Sequence, residues 1–321
     1  MKIPGRKALL YSTRLIRSKF VKHGLILGYH RVNKLSWDPF RLAVSPESFS
    51  QQLEILHEHA NVISLHDLAE ARVSGDIPPR SIAITFDDGY ADYLSVAKPL
   101  LDKAGFPSTI FISTGYIGHE FWWDILSSLA CSLDPEKSLT LDAGRSKFEW
   151  HPDSNRAKPS QSALINDLAS FLMPLNKDER SGYLQQLAES FGTLTSELRQ
   201  NPALSRQEVE QLAADDKVTI GSHTVSHPML SLLPARLQHD EIVKSKQMLE
   251  TLTGNTVSGF SFPHGSKSDT SVRLVEECGY SYACASHNDV VWRNSDPFCL
   301  PRIWAPDCSG DTFLKLMHRW L

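Results

Sequence analysis

Several features are missing from this 321-residue chain, and each absence excludes something. It has five cysteines, Cys131, Cys278, Cys284, Cys299 and Cys308, an odd number with no C-x-x-C pair among them. A disulfide framework is not expected, and reduced thiols in a reducing compartment are. No uninterrupted apolar run reaches the roughly 18 residues that a membrane-spanning helix needs. There is no excess of positive charge: 33 Lys and Arg stand against 37 Asp and Glu, for a net charge of −4, which gives no argument for nucleic acid as a partner. There is no low-complexity tract and no internal repeat. What remains is ordinary globular composition, 41% hydrophobic and 22% charged, able to build a large core.

Acidic residues are also missing from the first 24 positions, "MKIPGRKALLYSTRLIRSKFVKHG". Basic residues there interleave with Leu9, Leu10, Leu15, Ile16 and Phe20. No apolar core of the secretory type follows, so a cleaved signal is not expected. Two readings stay open for residues 1–23. One is a basic amphipathic helix in peripheral contact with an anionic membrane surface; the other is a solvated lead-in helix packed on the domain. A cytoplasmic or membrane-associated location goes with either.

From residue 24 onward, apolar strand-like runs alternate with helical patterns. "GLILGYH", "SIAITF", "STIFIS", "KVTIGSHT", "VSGFSFP", "YSYACAS" and "FCLPRIWA" read as strands. Between them lie helices with legible ends: Ser45 and Pro46 open "SPESFSQQLEILHEH", Gly105 closes "YADYLSVAKPLLDKAG", and Ser205 with Glu208 forms a capping box. Such alternation implies parallel β-α units, and the chain length is within reach of a single large α/β barrel. The rhythm breaks over residues 119–202, where a helix, a hairpin turning at 142–144 and a long helical stretch read as an inserted, mainly helical subdomain. The barrel then divides into residues 24–118 and 203–321.

Two stretches carry chemistry. "SIAITFDDGY" drives an apolar strand to its end and finishes it with Asp87 and Asp88 before Gly89. "GSHTVSHP" follows another buried strand and places His223 and His227 four residues apart, a spacing at which one helical turn brings both rings to one side. In α/β barrels the site lies at the C-terminal strand ends. Two imidazoles and one carboxylate make three ligands for a divalent metal with a position left for water, and the second carboxylate is free to take a proton from that water.

"TFDDG" (85–89) and "HTVSH" (223–227) resemble the first two motifs of the family-4 carbohydrate esterases, the polysaccharide deacetylases that share the NodB homology domain. The resemblance covers about 24–118 and 203–321 and leaves out the insert. It implies a distorted (β/α) barrel that removes N-acetyl groups from an aminosugar polymer or a lipid-linked glycan intermediate. It implies Asp87 as catalytic base and Asp88, His223 and His227 as ligands of one metal ion, usually zinc. "FSFPHG" (260–265) resembles the third motif, with Pro263 and His264 in register. His264 stands where tyrosine is common, and a backbone N–H there would serve the oxyanion.

The fourth motif is replaced by "CLPRIW", which resembles a subset tied to exopolysaccharide synthesis. There Arg302 would pair with Asp87 and hold it ionised. For the proton-donating histidine two positions compete. "LMH" places His318 in a terminal helix, as the fifth motif does. "LGYHRV" places His30 at the end of a buried strand and resembles the permuted arrangement of biofilm-polymer deacetylases; His30 is the expected acid. Tyr90, Trp122, Trp123, Trp292 and Trp304 are candidates for a glycan-stacking wall or for plain core. Two other functions remain: a non-catalytic glycan-binding relative, and a deacylase or deformylase of another amide.

Overall fold

The computed structural model describes residues 21–143, 146–152, 160–190 and 202–320. The basic segment up to residue 20, and Gly144 of the expected hairpin turn, lie outside these. Strands β1 (His23–Tyr29), β2 (Ser81–Phe86), β3 (Ser108–Ile112), β4 (Val218–Ser222), β5 (Gly259–Ser261) and β6 (Tyr282–Cys284) run parallel in the order β6-β5-β4-β3-β2-β1. A short strand β7 (Ile303–Trp304) pairs with β1 on its other edge. Just before it, Leu300 bonds β6 through Ala283 O and Ala285 N, each at 2.8 Å. One segment therefore touches both the last strand and the first, and it completes the distorted (β/α) barrel that the family resemblance implies.

The helices are α1 (Pro46–His59), α2 (Leu65–Ser74), α3 (Lys98–Ala104), α4 (Trp122–Ala130), α5 (Gln161–Leu172), α6 (Lys177–Glu189), α7 (Arg206–Ala213), α8 (Ala235–Thr253), α9 (Asp269–Glu277) and α10 (Gly310–Met317). Their ends follow the expected signals. Ser45 accepts from Ser48 N with Pro46 in the first turn, Ser205 and Glu208 cap each other, and Gly105 closes α3 in the left-handed region. The helix expected over "YADYLSVAKPLLDKAG" contains a π turn at Tyr93–Ala97. Pro99 supplies no N–H to that stretch, and the ladder widens before it. No described helix is long and apolar enough to cross a membrane. All five cysteines are unpaired.

The barrel interior is graded. Ile26, Ala83, Phe111, Cys284 and Leu300 form an apolar layer, with Leu65 and Leu68 of α2 below it. Above this layer the buried side chains turn polar: Thr85, Ser261, Arg302 and then Asp87 and Asp88. The described residues between Glu120 and Pro202 add no strand to the main sheet. Helices α4, α5 and α6 and an antiparallel pair, Leu139–Leu141 with Phe148–Trp150, surround an apolar cluster that includes Leu126, Leu129, Leu164, Leu168 and Leu187 and extends to Tyr90 and Tyr116 of the barrel part. Glu120 and Pro202 form an antiparallel bridge, so the chain leaves and rejoins the barrel at one place.

Candidate active site

The carboxylates sit where β2 stops. Asp87 N still bonds to Tyr29 O of β1 at 2.9 Å, so the strand positions Asp87, and the chain then turns at once. Asp88 has φ 74° and Gly89 φ 97°. A Cβ on Gly89 would meet Ile112 Cγ2 at 3.2 Å, and the left-handed turn itself favours glycine. The turn separates the two side chains, and their surroundings differ accordingly.

Asp87 meets a cation face to face. Arg302 Nη1 donates to Oδ1 and Nη2 to Oδ2, both at 2.7 Å. Arg302 Nη2 also donates to Ser261 Oγ at 2.8 Å, and that hydroxyl donates to Asp87 Oδ2 at 3.2 Å. Burial pushes the Asp87 carboxyl up, but the Arg302 charge and hydrogen bonds overcome it and hold Asp87 well below the usual carboxylate range. Both partners are almost fully buried, and the bidentate geometry is what makes a desolvated pair tolerable.

Asp88 has no such partner. Its Oδ1 is buried and accepts no hydrogen bond among the described residues. His227 Nε2 lies 3.2 Å from it and His223 Nε2 3.6 Å. His223 donates from Nδ1 to Ser261 O at 2.8 Å, because a carbonyl can only accept, which leaves the Nε2 lone pair facing Asp88. Burial lowers both imidazoles, His223 to about 4 and His227 to about 3, so both are neutral at ordinary pH. Asp88 itself is raised, again mainly by burial. One ligand atom from each of the three lies within 4.8 Å of the others. An orphaned carboxylate oxygen faced by two neutral imidazoles is a donor set that suits a divalent cation.

The two histidines converge, but not along a helical turn as their spacing implies. Residues 223–227 form a loop in which His227 N donates to Thr224 Oγ1 at 3.1 Å. Thr224 and His227 have positive φ, 68° and 55°. Outside contacts hold the loop: Glu241 of α8 accepts from Val225 N and Ser226 N at 2.8 Å each, and Gly115 N donates to Val225 O at 2.8 Å. Of six described non-glycine residues with positive φ, four are here: Asp88, Thr224, His227 and His264. Such strain persists only where surrounding structure over-determines it, and it concentrates at functional sites.

A cavity of about 220 Å³ opens over these groups. His30, Asp87, Asp88, His223, His227, His264 and Trp304 line it from the barrel side. Phe40 and Leu42 come from the loop after β1, and Trp122, Trp123, Ala169 and Met173 from α4, α5 and the residue after α5. The side chain of His30 therefore reaches the cavity. His318 does not: it is exposed, and its ring lies 6.1 Å from that of His59, by the start of the strands. His264 stands edge-on to His227 at 4.4 Å. Pro263 is buried and outside the lining.

Tyr90 is also outside the lining. It is fully buried behind the wall, where its hydroxyl donates to Asp124 Oδ2 at 2.8 Å and accepts from Trp123 Nε1 at 2.7 Å. Trp123 in turn packs against His227 at 4.7 Å, so Tyr90 supports the wall from behind. Of the candidate glycan-facing aromatics, Trp122, Trp123 and Trp304 reach the cavity. Trp292 pairs with His23 at the opposite end of β1. Ser261 and Glu241 were not anticipated from sequence. Ser261 lies inside "FSFPHG" and so was within reach of motif reasoning; Glu241 is one acid among many on an exposed helix and carries no local signal.

Known proteins resemble this chain over most of its length. Residues 74–146 and 183–283 match the family described as polysaccharide deacetylase. A poly-β-1,6-N-acetyl-D-glucosamine N-deacetylase of Staphylococcus aureus is 23% identical over 312 residues, covering 92% of this chain and 82% of that protein. Among solved structures, IcaB from Ammonifex degensii superposes with a TM-score of 0.61 at 18% identity, over 93% of this chain and 97% of that one. The Streptococcus pyogenes deacetylase PplD gives 0.61 at 18% identity, over 92% and 98%. At these identities the solved structures speak for the fold.

Proposed function

This chain belongs to the polysaccharide deacetylase family, and from that premise we propose that it removes N-acetyl groups from a polymer of N-acetylglucosamine, using one divalent metal ion. The observation that carries the reading is the pair of unlike carboxylates: Asp87 ionised by a bidentate arginine, and Asp88 left without a partner before two neutral histidines. Asp88, His223 and His227 would hold the ion, and the mixed N/O set with a position left open suits zinc. An ion there supplies Lewis acidity and makes water a nucleophile at neutral pH.

The chain's own groups do the rest. Asp87 takes the proton of the attacking water; Arg302 and Ser261 fix both carboxylate oxygens, so it acts from one orientation. The backbone N–H of His264 is the donor for the developing oxyanion. His30 delivers a proton to the departing amine. Burial lowers its pKa against the opposing pull of Asp88 and Asp87, which makes its imidazolium a stronger acid, though a less populated one. Tyr90 and Asp124 keep Trp123 against His227.

The test is acetate release from N-acetylglucosamine oligomers by protein purified without chelator, with metal content measured alongside. The wild type should bind one equivalent of zinc and lose turnover on chelation. His223→Ala should lose metal and turnover together, by about 10³-fold or more in rate. Full metal occupancy in that variant, or turnover untouched by chelation, sinks the proposal.

A further inference from the structure

Trp304 is the cavity aromatic whose surroundings are most specific. It lies in β7 two residues after Arg302, so both side chains fall on one face of the strand. In register it stands opposite Gly28 of β1, which in turn lies two residues before His30. A Cβ on Gly28 would come within 2.8 Å of the indole Cε3, so the glycine leaves the space in which the indole lies. His30 stacks on the same indole, with ring centroids 4.3 Å apart and planes 13° from parallel. The guanidinium carbon of Arg302 is 4.8 Å from the indole centroid.

Histidines that move protons or ligate metals are normally oriented by a hydrogen bond from one ring nitrogen to a carboxylate or carbonyl, as His223 is here by Ser261 O. Among the described residues the ring of His30 has no such partner. Its orientation is left to the face it lies on.

We propose that Trp304 is a positioning residue for proton delivery: seated on Gly28, it holds the His30 imidazole over the cavity and spaces it from the Arg302–Asp87 pair. The inference rests on the reading of His30 as the acid, and the experiment separates the two. A departing amine needs a proton and a nitrophenolate needs none, so a group that serves protonation matters for the amide and hardly for the aryl ester. A sugar-stacking platform would instead show in KM, and a general structural role would slow both substrates alike.

Trp304→Leu, Trp304→Phe, Gly28→Ala and His30→Ala are compared on an N-acetylglucosamine oligomer and on p-nitrophenyl acetate, with thermal unfolding and metal content as controls. Trp304→Leu should lower kcat on the amide by about 10-fold or more and stay within about threefold on the ester, with KM on the oligomer within about threefold. Trp304→Phe, which keeps a flat ring, should recover most of the loss. Gly28→Ala, which keeps the indole but displaces it, should reproduce the pattern of Trp304→Leu, and the double variant should be no worse than the poorer single one. An equal loss on both substrates, or a rise in oligomer KM alone, overturns the positioning role while His30→Ala still shows the amide-specific loss. If His30→Ala itself shows no such preference, the acid assignment fails and the inference with it.

Discussion

The two ends of the barrel use the same residue types to opposite effect. Where the strands finish, Asp87, Asp88, His223, His227 and Arg302 are all buried, and four nearby residues hold left-handed backbone. Where the strands begin, polar groups face water. Lys22 and Asp76 pair at 3.0 Å with 57% and 81% of their side chains exposed, and His318 lies exposed beside His59. A surface pair of that kind contributes about 0–1 kcal/mol at most. Desolvating five ionisable groups together is costly; Arg302 and Asp87 offset it by pairing, whereas Asp88, His223 and His227 converge as a donor set that suits a cation. A histidine is therefore placed by the end of the barrel it occupies, not by the literal motif around it.

The contrast is broken most severely at Asp87. Asp87→Asn should lower turnover by about 10²–10⁴-fold while metal stays bound, measured as acetate release per metal-loaded protein. It also leaves Arg302 buried without its counter-charge, so urea unfolding should show a loss of about 3–5 kcal/mol. A variant that keeps its rate would move the base elsewhere. Next comes His30→Ala, expected to depress kcat by about 10²-fold with metal retained. Losing metal along with rate would make His30 a ligand and not an acid.

A smaller effect separates two carboxylates of the same region by pH. Asp87 is held below its unfolded value of about 3.9, so its contribution to stability is complete above that pH and is lost as pH falls through and below it. Asp124 is the reverse. Burial first, then the Glu120 and Asp88 charges, outweigh Arg31 and the Tyr90 hydrogen bond and raise it to about 7. The native state then holds the proton longer than the unfolded chain, so its contribution is complete below about pH 4 and is lost as pH rises towards 7. Asp124→Asn should reduce the downward slope of unfolding free energy between pH 4 and 7 by at most about 1.4 kcal/mol per pH unit. An unchanged slope, read from urea titrations at stepped pH, would mean that Asp124 is ionised throughout. Smallest of all is His318→Ala, at the water-facing end, whose kcat should remain within about threefold of wild type; a crippled enzyme would return the acid role to the C-terminal motif.

Much of this was legible in the chain. Strand and helix alternation, the helix caps at Ser45 and Ser205, and the stop at Gly105 are local signals, set by short-range hydrogen bonds and backbone sterics. The grouping of Asp88, His223 and His227 and the pairing of Asp87 with Arg302 are implied by motif resemblance, and the geometry brings those residues together. Other features needed the fold. Tyr90 stands two residues after Asp88 and is a candidate for a glycan-facing wall or for core, and the turn at Gly89 sends it behind Trp123. His223 and His227 meet through a strained loop, because Glu241 and Gly115, both distant in sequence, hold its backbone.

The amino-acid sequence by itself determined which segments are strands, where helices begin and end, and which side chains can bind a cation or move a proton, since those properties belong to residues and their near neighbours. Only the tertiary structure decided which of those side chains share one cavity. Residues 300–305 reach both β6 and β1, and in doing so carry Arg302 to Asp87 and Trp304 to His30, across more than 200 positions of chain. Burial and pairing, which together set the charge states at that end, exist only once those distant strands have closed around these groups.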